Sequence, residues 1–283
     1  MKHYFHELLY SLCIACIFGA PAISFTSCAK SVTEVSRDFN DASHDGLPCV
    51  TKEYKNLQSF DGIDLWAGID VTYRVGPVRE AVVTISENVV DRLTVNVVDG
   101  QLRMGLQNGT NVRRFRIKAI VTGPALTSVK VSSGADFNLD ETESMRIAKS
   151  TLSLSASSGA DISLKGKIEY KKVNGTASSG ADIKLANVVA DEITVASSSG
   201  ADIDVYGIQA RVLSATSSSG ADISLSGEVD RVSLSASSGA DISARKLIAE
   251  AGNANASSSG DISCSIKNPT SLHHSSGGSI KNN

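Results

Sequence analysis

The pentapeptide Ser-Ser-Gly-Ala-Asp recurs along this chain at Ser132–Asp136, Ser157–Asp161, Ser178–Asp182, Ser198–Asp202, Ser218–Asp222 and Ser237–Asp241. A shortened copy follows at Ser258-Ser259-Gly260-Asp261, and a last one, Ser275-Ser276-Gly277-Gly278-Ser279, ends without its aspartate. The aspartates stand at 136, 161, 182, 202, 222, 241 and 261, in steps of 25, 21, 20, 20, 19 and 20 residues. A period near twenty is one turn of a solenoid, because a unit this short buries its apolar face only by stacking on a neighbour.

The residues around the motif give the turn its inside and outside. Leu152, Leu154, Ala156, Ser158, Ala160, Ile162 and Leu164 share one parity. So do Val173 through Leu185 and Leu213 through Leu225 in later copies. Strand side chains alternate faces, so this parity is the interior and the intervening Ser, Asp and Lys face water. The second serine of each motif (Ser158, Ser179, Ser199, Ser219, Ser238, Ser258) falls on the inward parity and is expected to form a hydroxyl ladder from coil to coil. Twenty residues supply two or three short strands with corners. The fold class expected is therefore all-β, a right-handed β-helix, and seven steps at ~4.8 Å make a rod of about 34 Å. Calcium-binding nonapeptide rolls also contain Gly and Asp, but their period is nine.

Upstream the period is two without the motif. Ile63, Leu65, Ile69, Val71 and Tyr73 alternate with polar or small residues, as do Leu93, Val95 and Val97, then Leu102, Met104 and Leu106. Asp99-Gly100 between two such runs predicts a hairpin with a type I′ turn, and Asn108-Gly109 predicts a second. Residues 54–128 thus read as an N-terminal β segment with antiparallel hairpins that closes one end of the solenoid. Residues 129–283 read as the repeats with a C-terminal cap. No stretch carries a helical period.

The first 28 residues read as an export signal. Lys2 precedes an apolar run, Leu8 to Phe18, too short to span a bilayer. Ser24-Phe25-Thr26-Ser27-Cys28 resembles a bacterial lipobox, which makes Cys28 the expected acylation site and the lipid its membrane partner. Residues 29–53 are polar and read as a tether. Of five cysteines, Cys49 and Cys264 alone remain in the mature body; a disulfide between them is not expected, and Cys264 reads as a small core residue.

Phe60-Asp61-Gly62-Ile63, Ile69-Asp70-Val71, Leu93-Thr94-Val95, Leu102 and the repeated SSGAD together resemble the putative auto-transporter adhesin, head GIN domain family, over about residues 57–250. That resemblance implies a β-helix in an exported protein of Gram-negative bacteria. It carries over no catalytic residues.

The sharpest candidate site is the aspartate column: Asp136, Asp161, Asp182, Asp202, Asp222, Asp241 and Asp261. Neighbouring carboxylates roughly 5 Å apart repel by about 0.8 kcal/mol in bulk water and more at a surface. The expected relief is a local backbone N–H, as in an Asx turn; the alternative is a row of calcium ions bridging adjacent coils. No other cofactor is expected. The motif glycine reads as conformational, since Ser259 occupies its slot in one copy and no helix follows to bind phosphate. Catalysis is not expected: the acids recur at repeat positions, and aromatic platforms are scarce beyond Trp66 and Tyr73. His44 lies in the tether and His273-His274 in the tail. A net charge of −3 offers no field for nucleic acid.

The sequence therefore reads as a lipid-anchored cell-envelope β-helix, an outer-membrane lipoprotein of unassigned leaflet. It is expected to bind a glycan, or an envelope or host protein. The alternative is an assembly module whose solenoid ends stack into homo-oligomers.

Overall fold

In the computed structural model, residues 33–34, 47–107, 109–110, 112 and 114–283 are described. The signal segment, Cys28, His44 and most of the tether lie outside them. The chain is nearly all strand, and the single helical element among the described residues is the 3-10 turn Glu87–Arg92.

Each repeat contributes to three parallel ladders. The first begins at the motif aspartate: Asp136–Leu139 pairs with Asp161–Leu164, and the stacking continues coil by coil to Ser279–Asn282. A second runs through residues 144–147, 167–170, 188–190 and their successors. The third holds residues 153–157, 174–178, 194–198, 214–218, 233–237 and 253–256, just before the motif. Apolar residues of the inward parity are buried throughout. Ile162, Ile183, Ile203, Ile223, Ile242 and Ile262 form one such stack, each at most 2% exposed. Each full burial is worth about 1.5–3 kcal/mol, which fixes the register against a one-residue slip. Cys264 is buried and free, and Cys49 is exposed and free.

The solenoid starts well before the first SSGAD. Ile69–Val75 pairs in parallel with Asp136–Leu139, placing Asp70 beside Asp136, and Gly62–Leu65 pairs with Ser128–Ser132. Ala67 and Gly68 turn the corner between these strands with positive φ, like the Ser-Gly pair of the repeats. Strands Gln101–Leu106 and Ile117–Gly123 lie parallel beneath this coil. Antiparallel strands then close the end: Leu93–Val98 on Gln101–Leu106, Glu80–Ser86 on Ile117–Gly123, and Cys49–Tyr54 on Glu80–Ser86. Asp99-Gly100 forms the expected turn, with φ of 51° and 74° and Val98 opposite Gln101. Asn108 lies outside the described residues, and the strands before and after it, Gln101–Leu106 and Ile117–Gly123, do not pair with each other as a second hairpin would require. Gln101–Leu106 pairs with residues 62–65 and 93–98, so the chain after it crosses to another ladder.

The second serine of the motif is not inward. Ser158, Ser179, Ser199, Ser219, Ser238 and Ser258 are exposed, with φ between 49° and 59°. Alternation holds only while the backbone is extended. Two consecutive left-handed residues, Ser then Gly, turn the serine side chain outward, and the parity resumes at the following alanine. The ladder at this corner is made by backbone instead: the Gly159 N–H donates to the Ser179 carbonyl and the Asp161 N–H to the Ala135 carbonyl, and this recurs along the stack. Within the repeats the buried serines are Ser197 and Ser217, one residue before the motif. Each donates to a carbonyl within its own coil, Ser217 to Ala221 at 2.6 Å.

Candidate functional site

The corner is a tight turn. Ser133 and Gly134 both have positive φ, and the Ala135 N–H donates to the Ser132 carbonyl, closing a type I′ geometry. A Cβ on Gly134, Gly159, Gly180 or Gly200 would meet no atom within 4 Å, so glycine is there for its dihedral and not for a ligand's approach.

Immediately after the turn the seven predicted aspartates stand in strict register, and Asp70 joins them as an eighth. Its signal, Gly68-Ile69-Asp70, lacks the serines, and a long insertion separates it from the repeats. Lys118 pairs beside Asp70 at one end, and Ser279 stands beside Asp261 at the other. The backbone of the next coil tempers the charge slightly, Asp161 acting on Asp136, Asp222 on Asp202 and Asp261 on Asp241, while the N–H groups of those three residues donate to the Ala135, Ala201 and Ala240 carbonyls. This relief is incomplete. Burial, then the neighbouring carboxylates, hold Asp136, Asp202 and Asp241 above the usual aspartate range. The row is straight, and among the described residues no three His, Cys, Asp or Glu side chains converge as a metal site would need.

The corner between the second and third ladders treats charge differently. Arg146 meets Glu169 at 2.8 Å, Lys172 meets Glu192 at 2.6 Å, Arg211 meets Asp191 at 3.2 Å and Lys267 meets Glu250 at 2.6 Å. These exposed pairs contribute little each, but they cancel the field along this edge. A shallow depression here is lined by Gln209, Glu228, Asp230, Ile248, Glu250 and Lys267, with no histidine, hydroxyl or aromatic side chain.

The third ladder presents neither pattern. Its outward residues in six consecutive coils are Ser153, Ser155 and Ser157; Asn174, Thr176 and Ser178; Thr194, Ala196 and Ser198; Ser214, Thr216 and Ser218; Ser233, Ser235 and Ser237; Asn253, Asn255 and Ser257. None of these 18 positions is charged, where a typical surface would carry roughly five. The register aligns them in columns, so the face is a grid of hydroxyls and amides; the Ser233 hydroxyl donates to the Asn253 amide oxygen of the next coil at 3.0 Å. This face was invisible one coil at a time, because its signal is the absence of charge down a column.

The aromatic residues are mostly structural. Tyr73 and Tyr170 are buried, and their hydroxyls donate to the Pro124 and Leu126 carbonyls at 2.6 and 2.5 Å. The half-buried Trp66 donates to the Leu106 carbonyl and lies under the Arg103 guanidinium. His273 and His274 sit exposed at the end of the strand Asp261–His274, remote in register from the aspartate row.

A family model described as putative auto-transporter adhesin, head GIN domain, matches residues 59–206 and again 176–283. No curated protein matches the chain. Among solved structures, a putative adhesin from Parabacteroides distasonis shares a TM-score of 0.74 at 17% identity, covering 84% of this chain and 98% of its own. A putative adhesin from Parabacteroides merdae gives 0.71 at 18%, covering 84% and 97%. A putative lipid binding protein from Parabacteroides distasonis gives 0.53 at 19%, covering 84% and 98%. At these identities the likeness is one of fold.

Proposed function

The chain belongs to the putative auto-transporter adhesin, head GIN domain family, and from that premise we propose that it is a lipid-anchored, non-catalytic binding module of the cell envelope. Its uncharged face would hold a neutral, hydroxyl-rich polymer such as a glycan. The adhesin description of the family supports a cell-envelope or surface position. The lipobox reading makes Cys28 the anchor, with the polar stretch after it as the tether.

The observation that carries the ligand class is the third-ladder face. Donors and acceptors there are short and laid out on a rigid sheet, so little side-chain entropy is lost when they are engaged. Across these six coils the face offers no charge to attract an ionic partner, and Lys130, in register beside Ser155, marks where it ends. It also lacks the Tyr, Trp and Arg anchors on which protein–protein interfaces depend. A polymer of neutral sugars matches it, since each hydroxyl can both donate and accept.

The test is binding of the chain to immobilised neutral and anionic polysaccharides. Neutral polymers should retain it, and the double substitution T176K/T216K should weaken retention at least about tenfold, whereas E192Q on the ion-paired edge should leave it unchanged. Equal retention of the wild type and T176K/T216K would place the ligand elsewhere.

A further inference from the structure

Eight carboxylates stacked one per coil are an unusual thing to build, because each like-charged neighbour lies one strand spacing, ~4.8 Å, away. The ion-paired edge shows that this fold can interleave lysine and arginine when neutrality is what matters. The aspartate row does not. We propose that the row is a proton-sensitive spine: on acidification adjacent coils share protons along it, and the row turns from a source of repulsion at neutral pH into a link between coils.

The groups that face the row bear this out. Lys118 pairs beside Asp70, and the Asn138 amide donates to the Asp70 carboxylate at 3.3 Å. Lys184 comes within 3.6 Å of Asp182, and the Ser279 hydroxyl donates to Asp261 at 2.7 Å. Asp204 adds a further carboxylate beside Asp202. Arg245 turns to the Ser263 hydroxyl at 3.2 Å, and Lys281 stands beside Ser263 on the last strand of the ladder. Among the described residues no ion pair reaches Asp136, Asp161, Asp202, Asp222 or Asp241. The corner on the other side contributes only Ser, Gly and Ala.

In the unfolded chain these aspartates are about twenty residues apart and titrate near 3.9. In the fold, burial and adjacent carboxylates raise Asp136, Asp202 and Asp241. The folded state therefore binds protons more tightly. Its stability gain is complete below about 3.9 and is lost as pH rises through the raised folded values. The ion-paired edge runs the other way: the hydrogen bond from Arg146 holds Glu169 below its usual range, so that pair loses stability as pH falls. The overall melting curve mixes both, and the row must be read as a difference.

The experiment compares thermal melting of the full chain with that of D136N/D202N/D241N, in chelator, between pH 7 and pH 4. At pH 7 the variant should melt higher by about 5 °C or more, and the gap should close toward pH 4. A gap of the same size at both pH values, or a variant that melts lower at pH 7, overturns the proposal. Should the triple variant fail to fold, carboxyl NMR titration of the wild type decides: midpoints for Asp136, Asp202 and Asp241 at or below about 3.9 overturn it equally.

Discussion

Ser259 occupies the motif's glycine slot with φ of 63°, directly after Ser258 at 49°. For a residue with a Cβ the left-handed region costs on the order of 1 kcal/mol, while glycine enters it freely. The eight other corners put glycine at that slot, counting Gly68 and Gly277. Ser259→Gly should therefore stabilise the fold by about 1 kcal/mol, read as a rise of about 2–4 °C in the melting midpoint. A fall would mean that the Ser259 side chain makes a contact outweighing its backbone strain. The second serine of each motif teaches the same physics from the other direction. Its inward parity was read by counting in twos, and the count fails where the backbone leaves the extended region. The Ser-Gly dipeptide did contain the warning, since Gly follows Ser where a chain needs consecutive positive φ, as it did for Asp99-Gly100.

At the scale of the strand, the two ends of the solenoid are closed by different devices. The N-terminal end uses antiparallel strands, and the hairpin at Asp99-Gly100 was legible because a type I′ turn has few sequence solutions. The C-terminal end uses a side chain. The Ile266 N–H donates to the Asn282 amide oxygen at 2.8 Å, and the Asn282 amide nitrogen donates back to the Ile266 carbonyl at 3.0 Å. Asn282 thereby completes the second ladder as a missing strand would. The third ladder ends on a strand carrying Pro269, which has no N–H to offer a further strand. Asn282→Ala should cost about 1 kcal/mol, seen as faster hydrogen exchange at the Ile266 amide while coils near Ile203 keep their protection. Unchanged exchange at Ile266 would show that the end is held by other contacts.

Over the whole molecule, the three ladders share one backbone plan and present three chemistries: a carboxylate row, an edge of paired ions and an uncharged grid. Because the carboxylates run in a straight line and do not converge, calcium at equal ionic strength should shift the melting midpoint no more than magnesium does. A rise specific to calcium would restore the idea of cations bridging adjacent coils. The recurrence of SSGAD fixed the solenoid, its interior and the aspartate column, because period and parity are properties of the chain taken alone. Register is not such a property: it arises when coils bury their Ile, Leu and Ala against each other, and it decides which side chains become neighbours twenty residues apart. Asp70 at the head of the row, the bond from each motif aspartate's N–H to the preceding coil's alanine carbonyl, and the charge-free face all depend on that stacking. They appear only once the coils are in place.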